Sequence, residues 1–189
     1  MIVLIDPGHG GDDPGAVGVR IDGKAVKESV CNLVIAQAIG RHLKMNGVDV
    51  RFTRDSDCYP TIRQRQNRVD EVNPNLFLSI HCNAASAKAT GIETWYGAGD
   101  VKSRDMARKI LSGIASFYYP LKTRGAKSDD QDRLGRIGVL HKAISSSPSC
   151  PRVLLECGFV TSLRDVKAML DESNQKKLAQ GILKAITGK

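Results

Sequence analysis

Two histidines and a glutamate stand in the sequence where a catalytic zinc site could form. His9 follows the first predicted strand, and His81 ends a second apolar strand, residues 76–80. Glu28 lies just before the first predicted helix and is the best acid to complete the set. Two neutral imidazoles and one carboxylate are a usual ligand set for catalytic zinc, with one position left open for water. We therefore predict one zinc ion per chain and leave open that another divalent ion takes its place.

A second acid ends another apolar strand. Glu156 follows the run Arg152-Val153-Leu154-Leu155. Sites in open α/β sheets form at the carboxyl ends of strands, so Glu156 is expected at the same edge as the histidines. A carboxylate in that place could act as the general base on water. The alternative is that Glu156 only solvates a strand end, just as a lone histidine is more often a surface or hydrogen-bonded residue than a metal ligand.

Two further kinds of chemistry are considered and judged weaker. The glycine-rich segment 8–15 could hold a phosphate, but it lacks a Gly-Lys-Ser/Thr ending, and Asp12 and Asp13 would repel the phosphate. A cysteine nucleophile is conceivable because Cys82 and Cys157 adjoin His81 and Glu156. Successive side chains of a strand point to opposite faces, so both cysteines are predicted to pack away from the site.

Strands and helices alternate along the chain. Strands are predicted at residues 2–5, 48–52, 76–80, 92–96 and 152–155, and helices at 29–45, 60–72, 101–117, 162–170 and 173–186. Segment 122–133 is interpreted as a charged loop, and Asp22-Gly23 as a turn between two short extended pieces. The alternation predicts one α/β domain, residues 1–189, with a twisted, mostly parallel or mixed sheet of about six strands flanked by helices. The first helix is expected to turn one apolar face to the core, with Val30, Leu33, Val34, Ala38 and Leu43.

Composition excludes several classes of protein. No apolar run approaches the roughly 20 residues of a membrane helix, and no secretory leader is recognised at the N-terminus. The five cysteines are odd in number and form no CxxC pair, which argues against a disulfide framework. The formal charge of +8 favours an anionic partner, but aromatic residues make up only 5% and no basic stripe appears. Nucleic acid is therefore not predicted as a partner.

Four motifs stand in order along the chain. They are Asp6-Pro7-Gly8-His9-Gly10-Gly11, Glu28 followed by Asn32-Leu33, the segment 76–84 with His81, and the segment 151–159 with Glu156. Gly91-Ile92-Glu93 and Arg124-Gly125 fall at two further landmarks. In this order, and over essentially the whole chain, they resemble the type-3 N-acetylmuramoyl-L-alanine amidases.

The resemblance implies an activity and roles for residues. It implies zinc held by His9, Glu28 and His81, with Glu156 as the catalytic acid/base. The reaction would be hydrolysis of the amide between N-acetylmuramic acid and L-alanine in peptidoglycan, giving cell-wall lysis. Arg65 and Asn83 are candidate substrate contacts.

The same resemblance gives expectations about biological context. A compact, basic, leaderless chain is similar to a phage endolysin or to the excised catalytic domain of a secreted autolysin. It is expected to be monomeric, to be made in the cytoplasm and to act on the wall. Two alternatives stay open: a zinc peptidase acting on stem peptides, and a wall-binding module without activity.

Overall fold

The computed structural model of the chain describes residues 1–132, 135–141 and 150–188. A six-stranded sheet forms the centre of this part, which confirms the α/β prediction. The strands are β1 Ile2–Pro7, β2 Val17–Ile21, β3 Lys24–Lys27, β4 Asp49–Phe52, β5 Leu76–Asn83, β6 Ile92–Tyr96, β7 Thr123–Ser128 and β8 Arg152–Phe159. The helices are α1 Glu28–Met45, α2 Ile62–Val72, α3 Val101–Ser116, α4 Leu163–Leu170 and α5 Glu172–Thr187. None of the helices in the described ranges is long and apolar enough to cross a membrane.

The sheet is mixed, with the order β4-β1-β5-β8-β6-β7. The first four strands of this order are parallel to one another, and β6 runs antiparallel to β8. Strands β2 and β3 form a separate antiparallel hairpin. Because β1, β5 and β8 are parallel neighbours, their carboxyl ends meet at one edge, where ligands bind in open α/β sheets.

Side chains from the two faces of the sheet enter two hydrophobic clusters. The larger cluster joins alternate residues of the strands to α1, α3 and α5, and it includes Ile5, Ile35, Ile80, Ile110 and Ile182. The smaller cluster takes the intervening residues of the strands and the inner side of α2, through Leu4, Val69, Phe77 and Leu154. Burial on both faces is what makes the strands read as continuous apolar runs in the sequence.

The predicted core face of α1 was wrong in part. Leu43 is buried as expected, but Val30 is 52% exposed and Val34 is 38% exposed. The face that packs on the sheet instead carries Cys31, Ile35, Ala36, Ile39 and Leu43. Valines and alanines of the helix lie on more than one of its faces, so the apolar periodicity in the sequence fits two faces equally well. The packing partners decide which of them is buried.

The segment predicted as a charged loop, residues 122–133, contains a strand. Thr123–Ser128 forms β7, the edge strand paired in parallel with β6, and a short 3-10 helix, Asp129–Gln131, follows it. The burial of β7 does not alternate, since none of its side chains is fully buried. A strand of this kind leaves no periodic signal, because the backbone of β6 rather than its own side chains fixes its extended form.

Candidate metal centre

The three predicted ligands converge at the carboxyl edge of the sheet. His81 lies near the end of β5, His9 is the second residue after β1, and Glu28 is the first residue of α1. One donor atom of each lies within 4.8 Å of the other two. The imidazole rings of His9 and His81 meet edge to face, with 5.0 Å between their centroids. Residues separated by up to 72 positions in the sequence therefore form a compact His–Glu–His group.

Hydrogen bonds fix the carboxylate of Glu28. Its Oε2 accepts from the backbone N–H of Ala16 at 2.9 Å, and its Oε1 accepts from the backbone N–H of Cys82 at 3.2 Å. The same carboxylate lies 3.0 Å from His81 Nδ1 and 3.3 Å from His9 Nε2. Burial opposes ionisation of Glu28, but the hydrogen bonds with His81 and His9 outweigh it and hold its pKa far below the usual range. The chain thus keeps a negative charge at the centre of the group.

A neighbouring acid orients His9. Asp13 Oδ2 lies 2.8 Å from Nδ1 of the ring, and Asp13 Oδ1 accepts from the backbone N–H of Gly15 at 3.0 Å. Burial disfavours the imidazolium of His9, but Glu28 and Asp13 together raise its pKa. With Nδ1 held by Asp13, the ring turns Nε2 toward Glu28. A carboxylate on the second nitrogen of a histidine ligand is the usual support of a zinc site.

These donors suit zinc. Two imidazoles and one carboxylate, one of the imidazoles already held by an outer carboxylate, are the ligand set and outer shell of catalytic zinc centres. Glycine at position 8 is required for the rings to approach, because a Cβ there would stand 2.2 Å from His81 Cε1 and Nε2. The residues present therefore fit a zinc ion.

Arginine side chains support the loop that carries His9. The backbone of His9 has a φ of 59°, a left-handed conformation that is unfavourable for a residue with a Cβ. Arg65 donates to the carbonyl oxygens of Pro7 at 2.8 Å and His9 at 2.9 Å, and it forms an ion pair with Asp6. Arg54 donates to the carbonyl of Pro7 at 2.9 Å. Together these contacts hold the strained backbone of His9 in place.

Arg65 lies buried beneath the loop that carries His9. Its side chain is 3% exposed and its donors are used within the chain. The contacts that the structure shows for Arg65 support the loop that carries His9, and its predicted role as a substrate contact stays a proposal. The sequence hid this role because its partner Asp6 lies 59 positions away.

Asn83 lies at the end of β5, beside the site. Its Nδ2 donates to Glu93 Oε1 at 2.9 Å, and its Oδ1 accepts from the backbone N–H of Ala84 at 2.9 Å. The side chain is half-buried. Its predicted role as a substrate contact stays a proposal.

Glu156 lies in the same row of the sheet as His81. The parallel register of β5 and β8 puts the two residues side by side, and the antiparallel register of β6 and β8 puts Glu93 on the other side of Glu156. Within the described residues, Glu156 Oε2 is buried and accepts no hydrogen bond. Burial, followed by the negative charges of Glu28 and Glu93, raises the pKa of Glu156 well above its usual range. An oxygen that has no partner in the described part of the chain can exchange a proton with a bound molecule.

The cysteines behave as packing residues, as predicted. Cys82 is 2% exposed and Cys157 is fully buried, and both lie in the larger hydrophobic cluster. This cluster lies on the face of the sheet covered by α1, α3 and α5, and the strand alternation puts His81 and Glu156 on the opposite face. All five cysteines are free thiols, and Cys58 is the exposed one.

The fold and this donor set define an α/β domain with a candidate metal site at the carboxyl ends of its parallel strands. The chain belongs to the Amidase_3 family, N-acetylmuramoyl-L-alanine amidase, whose sequence profile matches residues 3–188.

Relatives and solved structures agree with this assignment. The chain is 31% identical to YqiI of Bacillus subtilis strain 168 over 186 residues, which is 97% of this chain and 82% of YqiI. The N-acetylmuramoyl-L-alanine amidase of Clostridium difficile 630 has a TM-score of 0.86 at 30% identity, covering 99% of this chain and 95% of that one. The catalytic domain of CwlV from Bacillus (Paenibacillus) polymyxa var. colistinus has a TM-score of 0.82 at 32% identity, covering 99% and 96%.

Some curated relatives are much longer than this chain. LytC of Bacillus subtilis is 28% identical over 183 residues, and these make up 95% of this chain but 34% of LytC. The chain therefore spans about a third of the length of LytC.

Proposed function

We propose that this chain is a zinc-dependent N-acetylmuramoyl-L-alanine amidase, which hydrolyses the amide between N-acetylmuramic acid and the L-alanine of the stem peptide. The observation that carries the proposal is the buried Oε2 of Glu156, which has no hydrogen-bond partner among the described residues, beside the His–Glu–His group. A structural acid would have its oxygens satisfied, because a buried polar group without a partner is costly. An acid held ready for a bound molecule is what hydrolysis requires.

His9, Glu28 and His81 would hold the zinc ion. Bound zinc supplies Lewis acidity that activates water and polarises the scissile carbonyl. The chain contributes the placement of the ligands: Asp13 fixes the ring of His9, and two backbone N–H groups fix the carboxylate of Glu28. This preorganisation means that the ligands need little rearrangement when the ion binds.

Glu156 would move the proton. It accepts a proton from water as the water oxygen bonds to the lactyl carbonyl carbon. It then donates that proton to the nitrogen of L-alanine as the C–N bond breaks. One water molecule is consumed, and the products are a muramic acid carboxylate and a stem peptide with a free amino group. The row formed by His81 and Glu156 keeps this acid beside a residue that would hold the ion.

The test is mass spectrometry of purified peptidoglycan digested with the zinc-loaded protein. Free stem peptides that begin with L-alanine, together with intact glycan strands, are expected, and activity should be lost on chelation and restored by zinc. Shortened peptides still attached to muramic acid would overturn the amidase assignment and favour a peptidase at the same site. Absence of any product from several wall types would favour a binding module instead.

The positive net charge of the chain favours binding to an anionic cell wall. We therefore also propose that the chain lyses cell walls, as an endolysin does. The formal charge of +8 would draw the chain to wall polymers. Loss of turbidity should therefore follow when the protein is added to wall preparations at low salt, and high salt should slow it. The expected monomer is checked by light scattering of the same preparation.

A further inference from the structure

A buried carboxylate beside the proposed catalytic acid anchors two cationic side chains. Glu93 is 1% exposed, and its Oε2 accepts from Arg124 Nε at 2.7 Å and from Lys127 Nζ at 2.6 Å. Its Oε1 accepts from Trp95 Nε1 at 3.2 Å and from Asn83 Nδ2 at 2.9 Å. Four donors from three strands thus meet on one acid. Proton transfer at Glu156 does not require these four hydrogen bonds on Glu93.

The two cations reach from Glu93 toward solvent. The side chain of Arg124 is 41% exposed and that of Lys127 is 27% exposed. Aromatic rings hold them in place, with Arg124 5.2 Å from the centroid of Phe159 and Lys127 5.0 Å from that of Trp95. An arginine has five N–H donors and a lysine three, so each keeps donors that Glu93 does not use. Two positive charges face a single carboxylate and leave capacity for a second anion.

The sheet register gives the distance from the metal centre to Glu93, the acid that anchors these cations. Glu93 lies opposite Glu156, and Glu156 lies opposite His81. Neighbouring strands are about 4.8 Å apart, so Glu93 lies roughly 10 Å from His81 along this row. An extended peptide spans about 3.3–3.6 Å per residue. A stem peptide that leaves the scissile amide along the row would bring its second or third residue to Arg124 and Lys127.

We propose that Arg124 and Lys127 bind a carboxylate of the stem peptide and make the enzyme prefer stems in which that carboxylate is free rather than amidated. This inference rests on the proposed function, since it assumes that the stem peptide crosses the row from His81 to Glu93. The carboxylate could come from a second-position D-isoglutamyl residue or from a third-position diaminopimelyl residue. Both would form charge-assisted hydrogen bonds, which a carboxamide replaces with weaker ones.

The first experiment compares matched muramyl peptides that differ only in carboxylate against carboxamide, one pair at the second residue and one at the third. The wild-type chain should show kcat/KM about tenfold higher for the free carboxylate in one of the pairs, mainly through KM. Lys127→Met and Arg124→Gln should reduce this ratio toward one. Lys122→Met removes the same charge from an exposed position next to β7 and should leave the ratio unchanged.

Calorimetric binding of the unlinked stem peptides separates this inference from the amidase assignment. Two pairs of tripeptides are titrated into the zinc-loaded chain. The first pair is L-Ala-D-isoGlu-diaminopimelate and L-Ala-D-isoGln-diaminopimelate, and the second is L-Ala-D-isoGlu-diaminopimelate with its third-residue side-chain carboxylate free or amidated. Preference for a free carboxylate that Lys127→Met abolishes would support the inference even if no amide were cleaved. Equal binding and equal kcat/KM within both pairs would overturn the proposed carboxylate preference. In that case, release of stem peptides that begin with L-alanine would still support the amidase assignment.

Discussion

His81 and Glu156 lie side by side on the adjacent parallel strands β5 and β8. The backbone hydrogen bonds of the ladder fix this relationship, so the proposed metal ligand and the proposed proton carrier share one rigid support. Sites built on strands hold their geometry more closely than sites built on loops. His9 lies on a loop, and it needs the arginine contacts and Asp13 to reach comparable order.

Replacing Glu156 with glutamine should abolish turnover and leave the metal in place. The amide keeps the size of the side chain but cannot accept the proton, so we expect a loss of at least about 100-fold in kcat. Glu71→Gln, at an exposed position on α2, is the matched control and should keep full activity. Stem peptide release and zinc content are measured on the same preparation. Turnover at the wild-type rate would show that Glu156 has only a structural role.

Replacing His81 with alanine should remove zinc. The change leaves two of the three donors, which is too few for the usual catalytic site. Zinc per chain is measured by mass spectrometry after dialysis, and the melting temperature is compared with and without zinc, because a ligand that binds only the folded state stabilises it. His42→Ala on α1 is the control and should retain both zinc and the zinc-dependent shift. Undiminished metal in the His81 variant would exclude His81 as a ligand.

Replacing Arg65 with methionine should destabilise the fold. It leaves the buried carboxylate of Asp6 without its cation, and breaking a buried pair costs about 3–5 kcal/mol. Arg68→Met removes the same charge from the same helix at an exposed pair, where about 0–1 kcal/mol is expected. Urea unfolding measures both. A direct substrate role for Arg65 would instead appear as a raised KM with unchanged stability.

Two glycine-to-alanine changes should differ in cost. A Cβ at Gly181 in α5 would lie 2.4 Å from backbone atoms of Ile114 in α3, whereas one at Gly40 would lie 2.4 Å from the tip of the Phe52 ring. Backbone cannot move aside, so Gly181→Ala should lower the free energy of unfolding by about 1–3 kcal/mol despite the better helix propensity of alanine. Gly40→Ala should lower it less, since Phe52 is half-buried and can turn away. Equal losses by thermal unfolding would contradict this view of the α3–α5 contact.

Asp129 should make stability depend on acid pH. Burial raises its pKa, but the backbone N–H groups of Ile137 and Ala98, with His141, outweigh burial and hold the pKa below 3.8. The folded pKa is the lower one, so the contribution is present above pH 3.8 and is lost as pH falls toward the folded pKa. Asp129→Asn should flatten this fall in urea unfolding below about pH 4. Asp130→Asn, at the exposed neighbouring position, should leave it unchanged.

The sequence by itself determined the central strands and the candidate metal centre. The runs at residues 2–5, 76–80 and 152–155 are apolar because both faces of the sheet are covered, and a polar residue that ends such a run marks the strand end. His9, His81 and Glu156 could be found in this way without knowledge of any contact. The physical reason is that a strand buried on both faces consists of consecutive apolar residues, and such a run is visible in the sequence without any contact being known.

Only the tertiary structure decided the rest. The extended form of β7, the buried face of α1 and the position of Arg65 beneath the loop that carries His9 depend on partners far away in the sequence. The cluster on Glu93 joins Asn83, Trp95, Arg124 and Lys127 from three strands, up to 34 positions from the acid. Hydrogen bonds and ion pairs of this kind are set by strand order and register, and these leave no periodic trace along one strand.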